Sequence, residues 1–213
     1  MAESQSGIEI SPRPSNTIAS ARIAMLALIP SAVAFNLAIA TVVRTVKLPI
    51  YLDCIGCIVT TLLTGVWPGA VVAVLSQTTS VMLGSPPDFL YYTGTVVAVG
   101  LAAHIMGRIG GFKTMVRTAF SGLVMGVVSA TVSAPITYWR GGVTSAGSTW
   151  VTALFLGTHH PLLESVIYSG ITCDLPDKIA EAYIAVWLIR SVPHDLLRRF
   201  RGGTMEKNFK LTD

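Results

Sequence analysis

The run CIGCIVTTLLTGVWPGAVVAVLSQTTSVMLGSPP, residues 54–87, carries no charged side chain across 34 residues. As a single helix it would extend about 50 Å at 1.5 Å per residue, well beyond the roughly 30 Å hydrocarbon core of a bilayer. Gly65-Val66-Trp67-Pro68-Gly69 interrupts its middle with residues that punctuate helices. The stretch therefore reads as a tight helical hairpin. One short span is expected at about residues 52–66 and a second at about 69–83, with Gly84-Ser85-Pro86-Pro87-Asp88 as the following turn.

The rest of the chain has the same character. Of 213 residues 52% are hydrophobic and 12% charged, against about 25% charged in a soluble domain. Mean hydropathy is +0.63. Too few charges are present to coat a globule, so a soluble domain, a disordered chain and a coiled coil are excluded. The expectation is an all-α integral membrane protein, one compact six-helix bundle. Residues 1–22 form a cytoplasmic tail without a cleavage pattern, 23–193 the membrane domain, and 194–213 a basic cytoplasmic tail. The remaining spans fall at 23–43, at 89–107 and at 118–139, the last kinked at Ser133-Ala134-Pro135.

The last third admits two registers. Pro176 suits a first helical position, and Asp177 and Glu181 suit a first turn, where acids favour the positive dipole end. That places the final span at 176–192 and leaves 150–171, broken at Gly157 and His159-His160-Pro161, as a helical outer loop or re-entrant segment. The alternative makes 150–171 the sixth span and lays the last helix on the inner surface. Charge sorting favours six spans with both termini inside, because eleven of the fifteen Lys and Arg then lie on the cytoplasmic side. The inner face carries +6 and the outer −2, so the basic balance reports orientation and not a nucleic-acid partner.

Chemistry-bearing residues are few. Ala34 and Ala38 stand one helical turn apart, a small-xxx-small spacing that lets another helix approach, and Ala103 and Gly107 repeat it. Asp53 opens span two near the outer boundary, where a carboxylate needs a partner or a cavity; Arg44, Lys47, Arg140 and Lys178 lie on its side. Cys54-Ile55-Gly56-Cys57 stands without a second ligand pair, and the odd third thiol, Cys173, excludes an even disulfide framework. His159-His160 with Glu164 has neither a third metal ligand nor a nucleophile motif, so no metal site and no catalytic residue is assigned. Gly110-Gly111-Phe112-Lys113-Thr114 has the wrong order for a phosphate loop. Tyr91, Tyr92, Trp139 and Trp150 read singly as an aromatic belt. Together with Asn36, Asp53, Gln77, Arg140 and His159, they form a candidate lining for a pocket that takes a flat, polar-edged molecule.

The order of motifs resembles a known family. It runs from the small-xxx-small first span through Lys47-Leu48-Pro49-Ile50-Tyr51-Leu52-Asp53-Cys54-Ile55-Gly56, Gly65-Val66-Trp67-Pro68-Gly69-Ala70, Ser133-Ala134-Pro135-Ile136 and Gly141-Gly142-Val143-Thr144 to Asp174-Leu175-Pro176-Asp177-Lys178. This set resembles the substrate-binding S components of energy-coupling factor (ECF) vitamin transporters. The resemblance implies a non-enzymatic receptor in the cell membrane with an outer pocket for a water-soluble vitamin or related micronutrient, capped by the loops between spans one and two, three and four, and five and six. It implies docking through Ala34 and Ala38 on a coupling membrane subunit, the T component. Two cytoplasmic ATPase subunits use the ATP, so the chain itself holds no cofactor. It also implies that the bundle reorients in the bilayer to release substrate inside. Two other readings stay open: a proton-coupled secondary transporter using Asp53, Glu164 or Glu181, and an intramembrane metal enzyme around His159, His160 and Glu164.

Overall fold

The computed structural model describes residues 14–144, 148–193 and the single positions Leu197, Phe200, Thr204 and Asn208. It is 81% helical, and no strand occurs among the described residues. Seven α-helices follow in order: α1 Pro14–Val46, α2 Ile55–Thr64, α3 Val66–Met82, α4 Thr93–Arg108, α5 Met115–Trp139, α6 Ser148–Gly157 and α7 Leu162–Ser191, with a 3-10 helix, Pro87–Tyr92, leading into α4. Three stretches are long and apolar enough to cross a membrane: Ile23–Val46, Pro87–Arg108 and Met115–Trp139.

The bundle buries charged side chains beside its apolar core and leaves large apolar side chains on its surface. Asp174, Asp177, Lys178 and Glu181 are buried, whereas Leu26, Val42, Val71, Ile105, Val116 and Phe120 are exposed. All four tryptophans, Trp67, Trp139, Trp150 and Trp187, are more than half exposed. A monomer in water rarely shows apolar surface on this scale, and exposed tryptophans are what a bilayer interface attracts.

The charge-free run does form a helical hairpin, broken at Gly65, whose φ of 108° and ψ of 179° no ordinary residue adopts cheaply. Its two arms are unequal. At 10 residues α2 covers about 15 Å, half a bilayer core, and nine of those residues are buried. It packs against α1, α3, α4 and α7 as a central strut. The whole 54–87 run therefore does not face lipid; α2 is interior.

A second correction concerns the last helix. It begins at Leu162 and runs through Pro176, so neither the 150–171 segment nor a start at Pro176 holds as drawn. The helical piece ahead of it is α6 alone, ending in a break at residues 158–161, where His159 has φ 63° and Pro161 precedes α7. Proline forfeits one backbone hydrogen bond, and the helix continues because its flanks are fixed by packing. A Cβ at Gly122 would lie 2.6 Å from Ile179 Cα, and one at Gly126 2.9 Å from Leu175 Cα. This Gly-xxx-Gly face of α5 seats α7 at backbone contact on both sides of Pro176.

At the end of the bundle away from the 47–54 connection, Thr204 N–H donates to Leu62 O at 2.9 Å. Asn208 accepts from Phe112 N–H at 3.1 Å and donates to Gly107 O at 2.8 Å. The proposed tails otherwise lie mostly outside the described residues, and α1 reaches back to Pro14, ahead of Ile23.

Candidate ligand-binding site

A cavity opens at the end where three connections converge: residues 47–54 between α1 and α2, the 3-10 helix between α3 and α4, and residues 140–144 after α5. Tyr51, Asp53 and Cys54 line it from the first, Phe89 and Tyr92 from the second, and Thr144 from the third, with Ser148 at the start of α6. It offers about 70 Å³ to the centres of water-sized molecules, and about 740 Å³ of space between atoms out to its open mouth. Its wall is rich in hydroxyls: Thr95 from α4, Ser129, Ser133 and Thr137 from α5, Thr152 from α6, and Ser169 from α7.

The floor is ionic. Lys178 Nζ lies 2.7 Å from Asp177 Oδ2, 2.9 Å from Glu181 Oε2 and 3.7 Å from Asp53 Oδ1, with Cys54 Sγ at 3.5 Å. Gln77 Nε2 donates to the other Asp53 oxygen at 3.3 Å. The same carboxylates hold the irregular backbone that precedes α2. Asp177 Oδ1 accepts from Tyr51 N–H at 3.0 Å and Leu52 N–H at 2.9 Å, and Glu181 Oε1 accepts from Cys54 N–H at 2.8 Å. Buried backbone donors need partners, and here they come from α7. The bonds also hold Leu52 at φ 49°, a left-handed conformation that costs a branched side chain energy.

Asp53, Cys54 and Glu181 place one ligand atom each within 4.8 Å of the others, the sole such metal-type grouping among the described residues. Their space is already taken by a cation, since the Lys178 ammonium contacts all three. Tyr51 Oη shares a 2.6 Å hydrogen bond with Ser148 Oγ, and burial pushes its phenol well above the usual range, so it stays neutral.

The structure divides the candidate lining residues. Asp53, Gln77 and Tyr92 line the cavity, Tyr92 Oη sharing a 3.1 Å bond with Thr137 Oγ1. Asn36 does not: its Oδ1 accepts from Gly56 N–H at 2.6 Å and its Nδ2 donates to Ser76 Oγ at 3.2 Å, tying α1 to α2 and α3. Tyr91 and Trp139 are exposed and meet edge to face at 5.8 Å between centroids. Arg140 pairs with Asp88, pinning the 3-10 helix to the end of α5. His159 is exposed, and His160 pairs with Glu164 at 3.3 Å on a half-exposed corner, away from the cavity. Asp53 did find the partner expected on its side, and of the four bases it is Lys178.

Most of the site was missed in the sequence, although its pattern is there. Asp174, Asp177, Lys178 and Glu181 follow the i, i+3, i+4, i+7 spacing of one helix face, and Ser129, Ser133 and Thr137 stand four apart. Gly122 and Gly126 repeat the small-xxx-small spacing noted elsewhere. Of the pairs that were noted, Ala103 and Gly107 are buried, Gly107 against Leu62 and Thr204, whereas Ala34 and Ala38 are exposed.

Comparison with protein families, curated proteins and solved structures finds no match to this chain.

Proposed function

We propose that this chain is the substrate-binding membrane subunit of an ECF-type importer, a receptor that captures a water-soluble micronutrient at the cavity and delivers it by reorienting in the bilayer. The observation that carries this reading is the cavity's position: a chamber with hydroxyls in its wall and ion pairs in its floor, roofed by the first, third and fifth connections of a helical bundle with an apolar exterior. In this reading the spans are α1, α2, α3, the 3-10 helix with α4, α5 and α7, with α6 lying on the outer side. Half-length α2 is tolerated because the unwound segment before it has its N–H groups satisfied by α7, the condition for irregular backbone at membrane depth. In this reading the start of α1 and Asn208, at the end opposite the cavity, are on the cytoplasmic side.

Partners follow from the same reading: a coupling membrane subunit and two ATPases, with ATP used by those subunits. Ala34 and Ala38 supply an exposed small-residue face on α1 for the first of these. Co-expression with a coupling subunit and its two ATPases is the test. Co-purification of all four chains, abolished by Ala34→Trp, supports the reading, and a chain that purifies alone overturns it. The buried carboxylates of the floor favour one second reading, a proton-coupled transporter. Uptake by liposomes holding this chain alone, driven by a pH gradient, would establish that instead.

A further inference from the structure

We propose that the cavity selects a small ring compound bearing a protonated amine or a comparable cluster of N–H donors, bound at Asp174, and rejects carboxylates and phosphates. This rests on reading the cavity as the substrate site.

The charge arithmetic of the floor comes first. Among the described residues of the floor, Asp53, Asp177 and Glu181 contact a single cation, Lys178, and Asp174 stands one helical turn before it, a formal sum of −3. With protons on any two of the four carboxyls the sum is still −1. Arg44 lies nearby but outside the wall, its guanidinium over the Phe89 ring at 5.1 Å and bonded to Ser80 and Ser85. Lys178 is already engaged: its Nζ donates to Asp177 Oδ2 at 2.7 Å and to Cys54 Sγ at 3.5 Å, with Glu181 and Asp53 at ion-pair distance. An anionic ligand would enter an acidic chamber with no free cation among the described residues to receive it.

Asp174 is the acceptor left over. It is 4% exposed and lines the cavity, yet no Lys, Arg or His nitrogen among the described residues lies within 4 Å. Its one hydrogen-bond partner is Ser133 Oγ at 3.5 Å, the limit of such a bond. A buried carboxylate so poorly partnered is costly unless something else completes it. Independently, Thr95 on α4 is 6% exposed, lines the same cavity, and its Oγ1 has no partner. An unpartnered hydroxyl in a cavity wall is open to a ligand atom or to water. Phe89 and Tyr92 supply aromatic surface from the 3-10 helix that roofs the chamber, suited to packing on a ring.

The test uses the purified full chain in lipid nanodiscs and three probes of matched shape: benzylammonium, benzyl alcohol and benzoate. Thermal unfolding followed by tryptophan fluorescence reads binding. Benzylammonium is expected to raise Tm saturably and benzoate to leave it unchanged. Asp174→Asn should weaken benzylammonium about ten- to hundredfold, the loss of a charge-assisted hydrogen bond. Thr95→Val, which alters no charge, gives a second reading should Asp174→Asn fold poorly, and Glu164→Gln on the exposed corner serves as control. A benzoate shift equal to or above that of benzylammonium overturns the proposal, as does no shift with benzylammonium. A co-purifying organic acid found in the cavity by native mass spectrometry also overturns it. Co-assembly with the coupling subunit alongside benzoate preference would sink the ligand class and leave the importer reading standing. Benzylammonium binding by a chain that never assembles would do the reverse.

Discussion

Replacing Lys178 by Met removes the one cation at the centre of the floor while keeping a flexible side chain of similar length. At an effective dielectric of about 20, unit charges 2.7, 2.9 and 3.7 Å apart attract by about 6, 6 and 4 kcal/mol. Desolvation offsets most of that gross attraction, but deleting one member leaves the others buried and uncompensated, at a cost of about 3–5 kcal/mol. For a chain of this size that corresponds to a fall in Tm of about 6–20 °C. The 47–54 segment should loosen as well, because Asp177 and Glu181 hold its N–H groups. Thermal unfolding of both proteins in the same detergent measures the first effect, and proteolysis of the 47–54 connection the second. Adding Glu181→Gln to Lys178→Met should recover part of the loss. Glutamine keeps the oxygen that accepts from Cys54 N–H and removes one uncompensated charge, so the pair should couple by about 1 kcal/mol or more. A Lys178→Met protein that melts within about 2 °C of the parent would refute the reasoning.

The remaining predictions concern packing and the corrected positions. Gly122→Ala should destabilise by about 1–3 kcal/mol, because its Cβ meets the backbone of α7; Gly94→Ala, where nothing lies within 4 Å, should stabilise by about 0.5–1 kcal/mol, both read from Tm. Asn36→Ala should cost about 1–3 kcal/mol by stranding Gly56 N–H, yet leave benzylammonium affinity unchanged in the unfolding assay. His159→Gly should leave that affinity unchanged too and raise Tm slightly, since φ 63° suits glycine and the side chain is exposed; a loss of affinity would return His159 to the site.

How much of this could be read from residues alone depended on which signals are local. The hairpin was legible because a 34-residue charge-free run is too long for one crossing and Gly65 sits at its middle. The cavity-facing parts of Asp53 and Tyr92 were legible from position near a span end, and that of Gln77 from a polar amide inside an apolar span. The start of α7 was not, because Pro176 and its neighbouring acids carry the local signature of a helix start. What overrides that signature is contact with Gly122 and Gly126, far away in sequence. Aromatic and basic residues misled for a related reason. Trp139, Tyr91 and Arg140 have the chemistry of a binding site, but at the rim of an apolar bundle the same chemistry serves an interface and a lid clamp.

The floor joins stability to binding in a way that neither sequence pattern nor cavity shape shows alone. Asp177 and Glu181 use one oxygen each on Lys178 and the other on backbone N–H groups of residues 51–54. That backbone in turn delivers Tyr51 and Asp53 to the cavity wall. Helix α2 begins at the next residue, its positive dipole end facing the same carboxylates. The position of the first connection, the start of the central strut and the placing of Tyr51 and Asp53 in the cavity wall are therefore set by three residues on one face of α7. A ligand that touches Asp53 or Tyr51 perturbs the clamp that holds them. Benzylammonium is therefore expected to slow proteolysis of residues 47–54, and cleavage at an unchanged rate under saturating benzylammonium would refute the link.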